Sequence, residues 1–148
     1  MRYIQEVLAN RVLWIGVLAW FAAQAMKVIF TAILERRWDF SRLSGLGGMP
    51  SSHSAVVCSL ATAVGISRGF YSVEFAMCTL LAFIVMTDAP GVRREAGNQA
   101  VLLNKIVQEL ISDGKWPTTD RLKEMLGHTP FQVIIGALLG ILIALLFM

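Results

Sequence analysis

The stretch Gly47-Gly48-Met49-Pro50-Ser51-Ser52-His53-Ser54 decides the predicted fold and function of this chain. It lies between two strongly apolar segments and contains one of the two histidines. Glycines let backbone N–H groups come close to a ligand, and Ser51 or Ser52 is a favourable N-cap for the helix that should follow. A glycine-rich loop at a helix N-terminus suits anions, because N–H groups and the helix dipole point at the same place. The stretch therefore predicts a phosphate-binding loop at a membrane surface.

The composition indicates a membrane protein. Hydrophobic residues make up 56% of the 148 residues and charged residues only 16%, whereas a soluble domain usually carries about 25% charged residues. The net charge of +3 is modest, and no basic run with interleaved aromatic residues suggests nucleic acid as a partner. The two cysteines lie within apolar segments and are interpreted as packing residues.

Four apolar segments predict helices that cross the bilayer, which is the expected partner of the chain. The first could extend about 34 Å at 1.5 Å per residue. A polar helix and a short amphipathic helix are predicted between residues 88 and 130, and residues 1–10 could form an interfacial helix. We therefore predict an all-α, polytopic membrane bundle in a single domain, residues 1–148. The four predicted spans are 12–34, 54–66, 73–87 and 131–148.

The distribution of basic residues predicts the orientation. With four spans, both termini lie on one side of the membrane and the polar loops 35–53 and 88–130 on the other. Nine Lys and Arg residues belong to the loop side and three to the terminal side. The positive-inside rule then places the loops, and the site with them, on the cytoplasmic side of a bacterial-type plasma membrane.

The two histidines are candidates for chemistry. His53 and His128 each precede or begin a predicted membrane helix, on the same side and next to a Ser or Thr. A helix N-terminus disfavours the imidazolium form, so a histidine there remains neutral and available as a nucleophile or base. The alternative is that both are interfacial polar residues that cap helices.

Several cationic residues could bind an anion near these histidines. Lys27 lies inside the first span, where a charged residue usually faces the bundle interior, although it could also extend to the interface. Arginine suits phosphate oxygens, and the sequence has two arginine pairs near span ends; each could instead be a topology anchor. Asp88, before a Pro-Gly break, could orient a histidine, pair with an arginine or cap a helix. The arginine pairs are Arg36-Arg37 and Arg93-Arg94.

The last apolar segment contains a G-x-x-x-G pattern at Gly136 and Gly140. Such a pattern indicates close helix packing. Packing within the chain is the favoured use, and assembly into a homo-oligomer is the alternative. We expect no metal and no cofactor, because the acidic residues are scattered and neither histidine has a metal-ligand partner at a useful spacing.

Three long motifs resemble the divergent branch of the type 2 phosphatidic acid phosphatases, which is related to acid phosphatases and vanadium-dependent haloperoxidases. They are the stretch at 47–54, Asp88-Ala89-Pro90-Gly91-Val92-Arg93-Arg94-Glu95-Ala96-Gly97, and Leu126-Gly127-His128-Thr129-Pro130. The parent superfamily has three blocks: a lysine followed by an arginine, Pro-Ser-Gly-His, and Ser-Arg leading to His and Asp. These blocks correspond to Lys27 with Arg36 or Arg37, to Pro50-Ser51-Ser52-His53, and to Arg93 or Arg94 with His128.

The resemblance implies metal-independent hydrolysis of a lipid phosphate or diphosphate. His128 would attack phosphorus to form a phosphohistidine, and His53 would protonate the leaving oxygen. The lysine, the arginines, the serines of the second block and the loop N–H groups would stabilise the phosphoryl oxygens.

The chain departs from the parent pattern around the expected nucleophile. His128 is displaced from the parent position by an inserted helical stretch, and Gln132 stands where an aspartate would orient it, so Asp88 is the candidate for that role. The second hypothesis is therefore a catalytically inactive membrane protein that binds an anionic lipid, a phosphate or a partner protein. The other departures are Ser52 for glycine, Trp38 for proline, Val92 for serine, and Gln99 and Ala100 where histidine is expected.

Overall fold

The computed structural model describes residues 1–36, 48–88, 92–112 and 128–148, without the side chains of 34–35, 92–96 and 110–112. Within these segments the chain forms six α-helices and no strand. The all-α prediction is therefore confirmed for the described residues. The helices are α1 (Arg2–Leu8), α2 (Arg11–Glu35), α3 (Ser52–Arg68), α4 (Val73–Asp88), α5 (Val92–Ser112) and α6 (Pro130–Phe147).

Local sequence signals account for where the helices of the site begin. Ser51 is the N-cap of α3, and its hydroxyl accepts from the backbone N–H of Ser54. Thr129 is the N-cap of α6 in a capping box with Gln132, and Pro130 follows at the first helical position. Both patterns satisfy N–H groups that a helix terminus would otherwise leave unpaired. The predicted short helix at 120–126 lies outside the described residues.

Helix α3 is the central element, since it packs against α2, α4 and α6. Its buried positions are almost all small, which lets the neighbouring helices approach its backbone closely. Apolar packing continues on both sides of it, in a cluster formed with α2 and α6 and in a second one formed with α4 and α6. The buried residues of α3 are Ser52, Ser54, Ala55, Cys58, Ser59, Ala61, Ala63 and Gly65.

Helices α3 and α6 run in parallel and are in backbone contact. A Cβ atom at Gly136 would overlap the carbonyl oxygen of Ser51, and one at Gly140 would overlap that of Ala55. The Ser51 N–H also donates to the Gln132 carbonyl oxygen at 3.0 Å. The predicted use of the two glycines for packing within the chain is confirmed.

The outer surface of the bundle is apolar, as expected for contact with lipid. Two described helical segments, Arg11–Ile33 and Pro130–Phe147, are long and apolar enough to cross a membrane. Helices α3 and α4 have 17 and 16 residues, which is short of the ~20 residues that a span usually needs. The prediction of about four spans is therefore not confirmed, since two of the described helices have the length and composition of a span.

Candidate functional site

A buried lysine contacts the start of α3. Lys27 lies about two turns before the C-terminal end of α2, and the residue is only 3% exposed. Its ammonium group donates a hydrogen bond of 3.3 Å to the hydroxyl of Ser52. Among the described side chains no carboxylate forms an ion pair with Lys27, the one salt bridge there being Arg2–Glu6 on the surface. A buried cation is costly without a counter-charge, so this position is well suited to an anion.

Gly48, which precedes α3 by four residues, lies next to the methylene groups of Lys27. Gly48 has a φ of 82°, in the left-handed region that favours glycine. Gly48 also lies next to the Lys27 side chain, because a Cβ atom added to Gly48 would be 3.8 Å from Cγ and Cδ of Lys27. Pro50 is fully buried. Gly47 lies outside the described residues.

Three backbone N–H groups at the start of α3 have hydrogen-bond partners within the protein. The N–H of Ser51 donates to Gln132, that of Ser54 to the Ser51 hydroxyl, and that of Ala55 to the Ser51 carbonyl. Ser51 also accepts from the Ser54 hydroxyl at 3.1 Å. Ser51 therefore holds α3 against α6. The hydroxyl that accepts a hydrogen bond from Lys27 belongs to Ser52.

The two histidines face each other at the same end of the bundle. The ring centroids of His53 and His128 are 6.3 Å apart, with an angle of 61° between the rings. His128 is 4% exposed and His53 is half-buried. The capped starts of α3 and α6 bring the rings together, because these helices are parallel and in backbone contact. Both rings can therefore contact one bound group at this end of the bundle.

The hydrogen bonds of Gln132 determine which nitrogen of His128 can react. The side-chain oxygen Oε1 of Gln132 accepts from the backbone N–H of Thr129 at 3.1 Å. Nδ1 of His128 lies 3.2 Å from the same oxygen. The Thr129 N–H can only donate, so the side-chain atom of Gln132 that it contacts must be the oxygen and not the amide nitrogen. That oxygen can only accept, so Nδ1 of His128 must carry the proton. The lone pair of a neutral His128 is then on Nε2.

We expect loss of the Gln132 amide to weaken any reaction at His128. Any reaction at Nε2 of His128 should become about 10–100-fold slower in Gln132→Leu, which is the effect of removing the partner that orients a metal-bound imidazole. Gln132→Glu should retain most of the rate, because glutamate accepts the same two hydrogen bonds and is equally suited to a capping box.

Thr129→Ala is the matched control, since it removes the other half of the capping box and leaves the contact with Nδ1. Both Thr129→Ala and Gln132→Leu should lose about 1 kcal/mol of stability. Equal losses of rate in these two variants would show that Gln132 acts only as a cap.

The remaining predicted site residues are placed as follows. Arg36 is the exposed C-cap of α2, about 14 Å beyond Lys27 along the helix axis. Asp88 is the exposed last residue of α4, and its role in orienting a histidine stays a prediction. Arg37 lies outside the described residues. The backbones of Arg93 and Arg94 belong to α5, but their side chains are outside the described set.

Two polar residues at the site were not predicted as site residues. Gln24 is 5% exposed and lies one turn before Lys27; its signal in the sequence is an amide within a long apolar run. The sequence predicts Gln132 both as the third residue of a capping box after Thr129 and as the replacement for an aspartate, and the capping box is confirmed. Only the structure shows that its side-chain oxygen also reaches His128.

Comparisons with known proteins identify the family to which the chain is similar. The model of the divergent PAP2 family matches residues 8–143. The chain is also similar to the uncharacterized membrane protein YuiD of Bacillus subtilis (strain 168), with 41% identity over 150 residues and 95% coverage of each chain. No solved structure matches the chain.

Proposed function

Because the chain belongs to the divergent PAP2 family, we propose that it is a membrane phosphatase that hydrolyses a lipid phosphate or diphosphate monoester through a phosphohistidine. The observation that carries the proposal is the pair His53 and His128, at 6.3 Å, with the Nδ1 proton of His128 directed to Gln132. This arrangement supports Nε2 of His128 as the nucleophile and His53 as the acid.

The proposed reaction has two steps. Nε2 of His128 attacks phosphorus, a P–N bond forms, and the bond between phosphorus and the leaving oxygen breaks. The electron pair of that bond goes to the leaving oxygen, which takes a proton from His53. His53 enters this step as the imidazolium, which the negative charge of the bound phosphate favours over the neutral form that a helix N-terminus alone would favour. A water molecule then attacks the phosphohistidine, gives a proton to His53, and breaks the P–N bond, which releases phosphate and restores His128.

The buried ammonium of Lys27 supports this reaction by stabilising the phosphoryl oxygens. Its positive charge meets no described carboxylate, and in a water-poor site such a charge acts strongly on an anion. Ser52, which accepts a hydrogen bond from Lys27, can donate its own hydroxyl proton to a phosphoryl oxygen. We propose Ser51, Arg36, Arg37, Arg93 and Arg94 as further members of the phosphate site.

Lys27→Met should raise the KM for a lipid phosphate and lower kcat, so that kcat/KM falls about 100-fold. The reason is the loss of a charge–charge contact between the buried ammonium group and the phosphoryl group. Steady-state assays in mixed micelles would measure the change. Lys105→Met is the control, since Lys105 is exposed on α5. A kcat/KM that changes equally in both variants would argue against contact between Lys27 and the phosphate.

We also propose four spans, with α3 and α4 as the two short ones. The large apolar side chains on the outer face of α4, such as Leu80, Leu81 and Ile84, are more than half exposed, which suits lipid contact. The excess of Lys and Arg on the loop side then favours a cytoplasmic site in a bacterial-type plasma membrane.

The direct test is phosphate release by the purified protein from phosphatidic acid, phosphatidylglycerophosphate and isoprenyl diphosphates, with EDTA present. The expected result is metal-independent release by the wild type. Release no greater than that of a His53→Ala, His128→Ala double variant would disprove the proposal.

The second candidate is a membrane protein that binds a lipid phosphate without turnover. It is favoured by one observation, the neutral Gln132 at the position where a carboxylate would stabilise a charged His128. Binding of vanadate without a trapped phosphohistidine would support it, whereas a trapped phosphohistidine would exclude it.

A further inference from the structure

Helix α5 separates polar and apolar residues more strongly than α2, α3, α4 or α6. It begins after a link of three residues from the end of α4, on the side of the bundle where α3 begins, because Met86 near the end of α4 contacts Cys58 in the first half of α3. Among the described helices none packs extensively against α5, whereas α3 packs closely against three neighbours. The exposure of its residues divides α5 into three sides.

The first side of α5 faces the rest of the protein. Gly97 is buried, and Ala100, Asn104 and Val107 are half-buried, at intervals of three or four residues. With 3.6 residues per turn, such positions share one side of a helix. Contacts within the chain therefore account for this side.

The second side of α5 is polar and exposed. Asn98, Lys105 and Glu109 are all exposed, and their spacings of seven and four residues place them in one stripe along the helix. At about 100° per residue, this stripe lies roughly 120° around the helix axis from the side that faces the protein. Its amide and charged groups suit contact with water.

The third side of α5 is apolar and exposed. Leu103 and Ile106 are about half exposed, and Leu102, which is also exposed, lies at the border with the polar stripe. The side of Leu103 and Ile106 lies roughly 120° from each of the other two. The described chain leaves it uncovered. A helix with a sharply separated polar and apolar side is typical of helices that lie in the plane of a membrane surface.

We propose that the side of α5 with Leu103 and Ile106 binds the lipid surface of the membrane, so that α5 lies along the membrane next to the candidate site. The polar stripe then faces water, and the side of Gly97 faces the bundle. The exposed apolar surface of α4, which includes Ile84, leads to α5 through only three residues, so the two apolar surfaces are continuous along the chain. The proposal does not depend on the proposed phosphatase function.

The size of the apolar side favours lipid over a second copy of the chain. A stable interface between proteins needs about 20–30 residues from each partner, whereas the exposed large apolar side chains described on α5 are Leu102, Leu103 and Ile106. A membrane surface requires less, because an interfacial helix buries its apolar side only about 5–10 Å into the boundary between headgroups and acyl chains.

Spin labels on α5 can test its position in the full-length protein in nanodiscs. Single cysteines would replace Leu103, Ile106 or Lys105 in a protein that carries Cys58→Ala and Cys78→Ala, and power saturation would measure the access of O₂, which concentrates in lipid, and of a water-soluble nickel chelate. We expect the labels at Leu103 and Ile106 to be more accessible to O₂ than to the chelate. The label at Lys105 should show the reverse, although it is only one residue from Ile106.

A charge on the apolar side provides a second test. Leu103→Glu should shift the label at Ile106 toward the nickel chelate, because the charge opposes burial in lipid, whereas Asn98→Glu adds the same charge on the water side and should cause no shift. A label at Leu138, exposed on α6, gives the reference value for lipid, and Tm would establish that each variant folds.

Three outcomes would overturn the proposal. Preferential access of the nickel chelate at Leu103 and Ile106 would place this side of α5 in water. Low access of both reagents would show that protein covers it, and dipolar broadening between labels would identify that protein as a second copy of the chain. Equal effects of Leu103→Glu and Asn98→Glu would show that the apolar side does not hold α5 at the membrane.

Discussion

His128→Ala should abolish phosphate release, with a loss of about 10⁴-fold or more in kcat, because the covalent intermediate of the proposed reaction forms on its Nε2 atom. The loss should apply equally to a lipid phosphate and to p-nitrophenyl phosphate, since both require the same nucleophile. Phosphate release and acid-labile labelling of the protein would be measured with both substrates.

His53→Ala is the matched variant that separates the two histidines. It should lose about 10²–10⁴-fold with a lipid phosphate, whose alkoxide needs a proton on leaving. The loss should be much smaller with p-nitrophenyl phosphate, because nitrophenolate leaves without protonation. A nucleophile at His53 would reverse this pattern, with His53→Ala inactive on both substrates and His128→Ala rescued by the better leaving group.

Gly136→Ala should destabilise the protein by about 3 kcal/mol, at the upper end of the effect of overpacking, and lower Tm by roughly 10 °C. The added Cβ overlaps the Ser51 carbonyl oxygen, which belongs to the backbone and cannot rotate away. Because the same contact holds His53 and His128 together, activity measured below Tm should also decrease. Thermal unfolding in detergent and phosphate release would be measured on the same preparation.

Gly16→Ala is the control for this effect. Gly16 is also a helical glycine at a helix–helix contact, but the atom closest to a Cβ there is Cδ2 of Leu60, at 3.0 Å, on a side chain that can move. Both variants gain the same helix propensity of about 1 kcal/mol. If Gly16→Ala were as unstable as Gly136→Ala, the backbone contact between α3 and α6 would not be the cause.

The sequence predicted the helices well because their signals are local. The apolar runs, the N-cap at Ser51 and the capping box at Thr129 act over a few residues, and the helices begin and end within a few residues of the predicted bounds. The number of spans was harder to predict, since α3 and α4 are short and their depth in a bilayer depends on their neighbours rather than on their own length.

The sequence by itself indicated the helical membrane class, the family, and Lys27, His53 and His128 as the central residues of the candidate site. Only the tertiary structure decided how these residues meet. Gly136 and Gly140 let α6 lie parallel to α3, so that residues far apart in the chain face each other at 6.3 Å. It also showed that Gln132 contacts Nδ1 of His128 and that the backbone of Ser51 contacts α6, because such contacts depend on how the helices lie against each other. The stretch at 47–54 encodes one side of the site, and helix packing supplies the other.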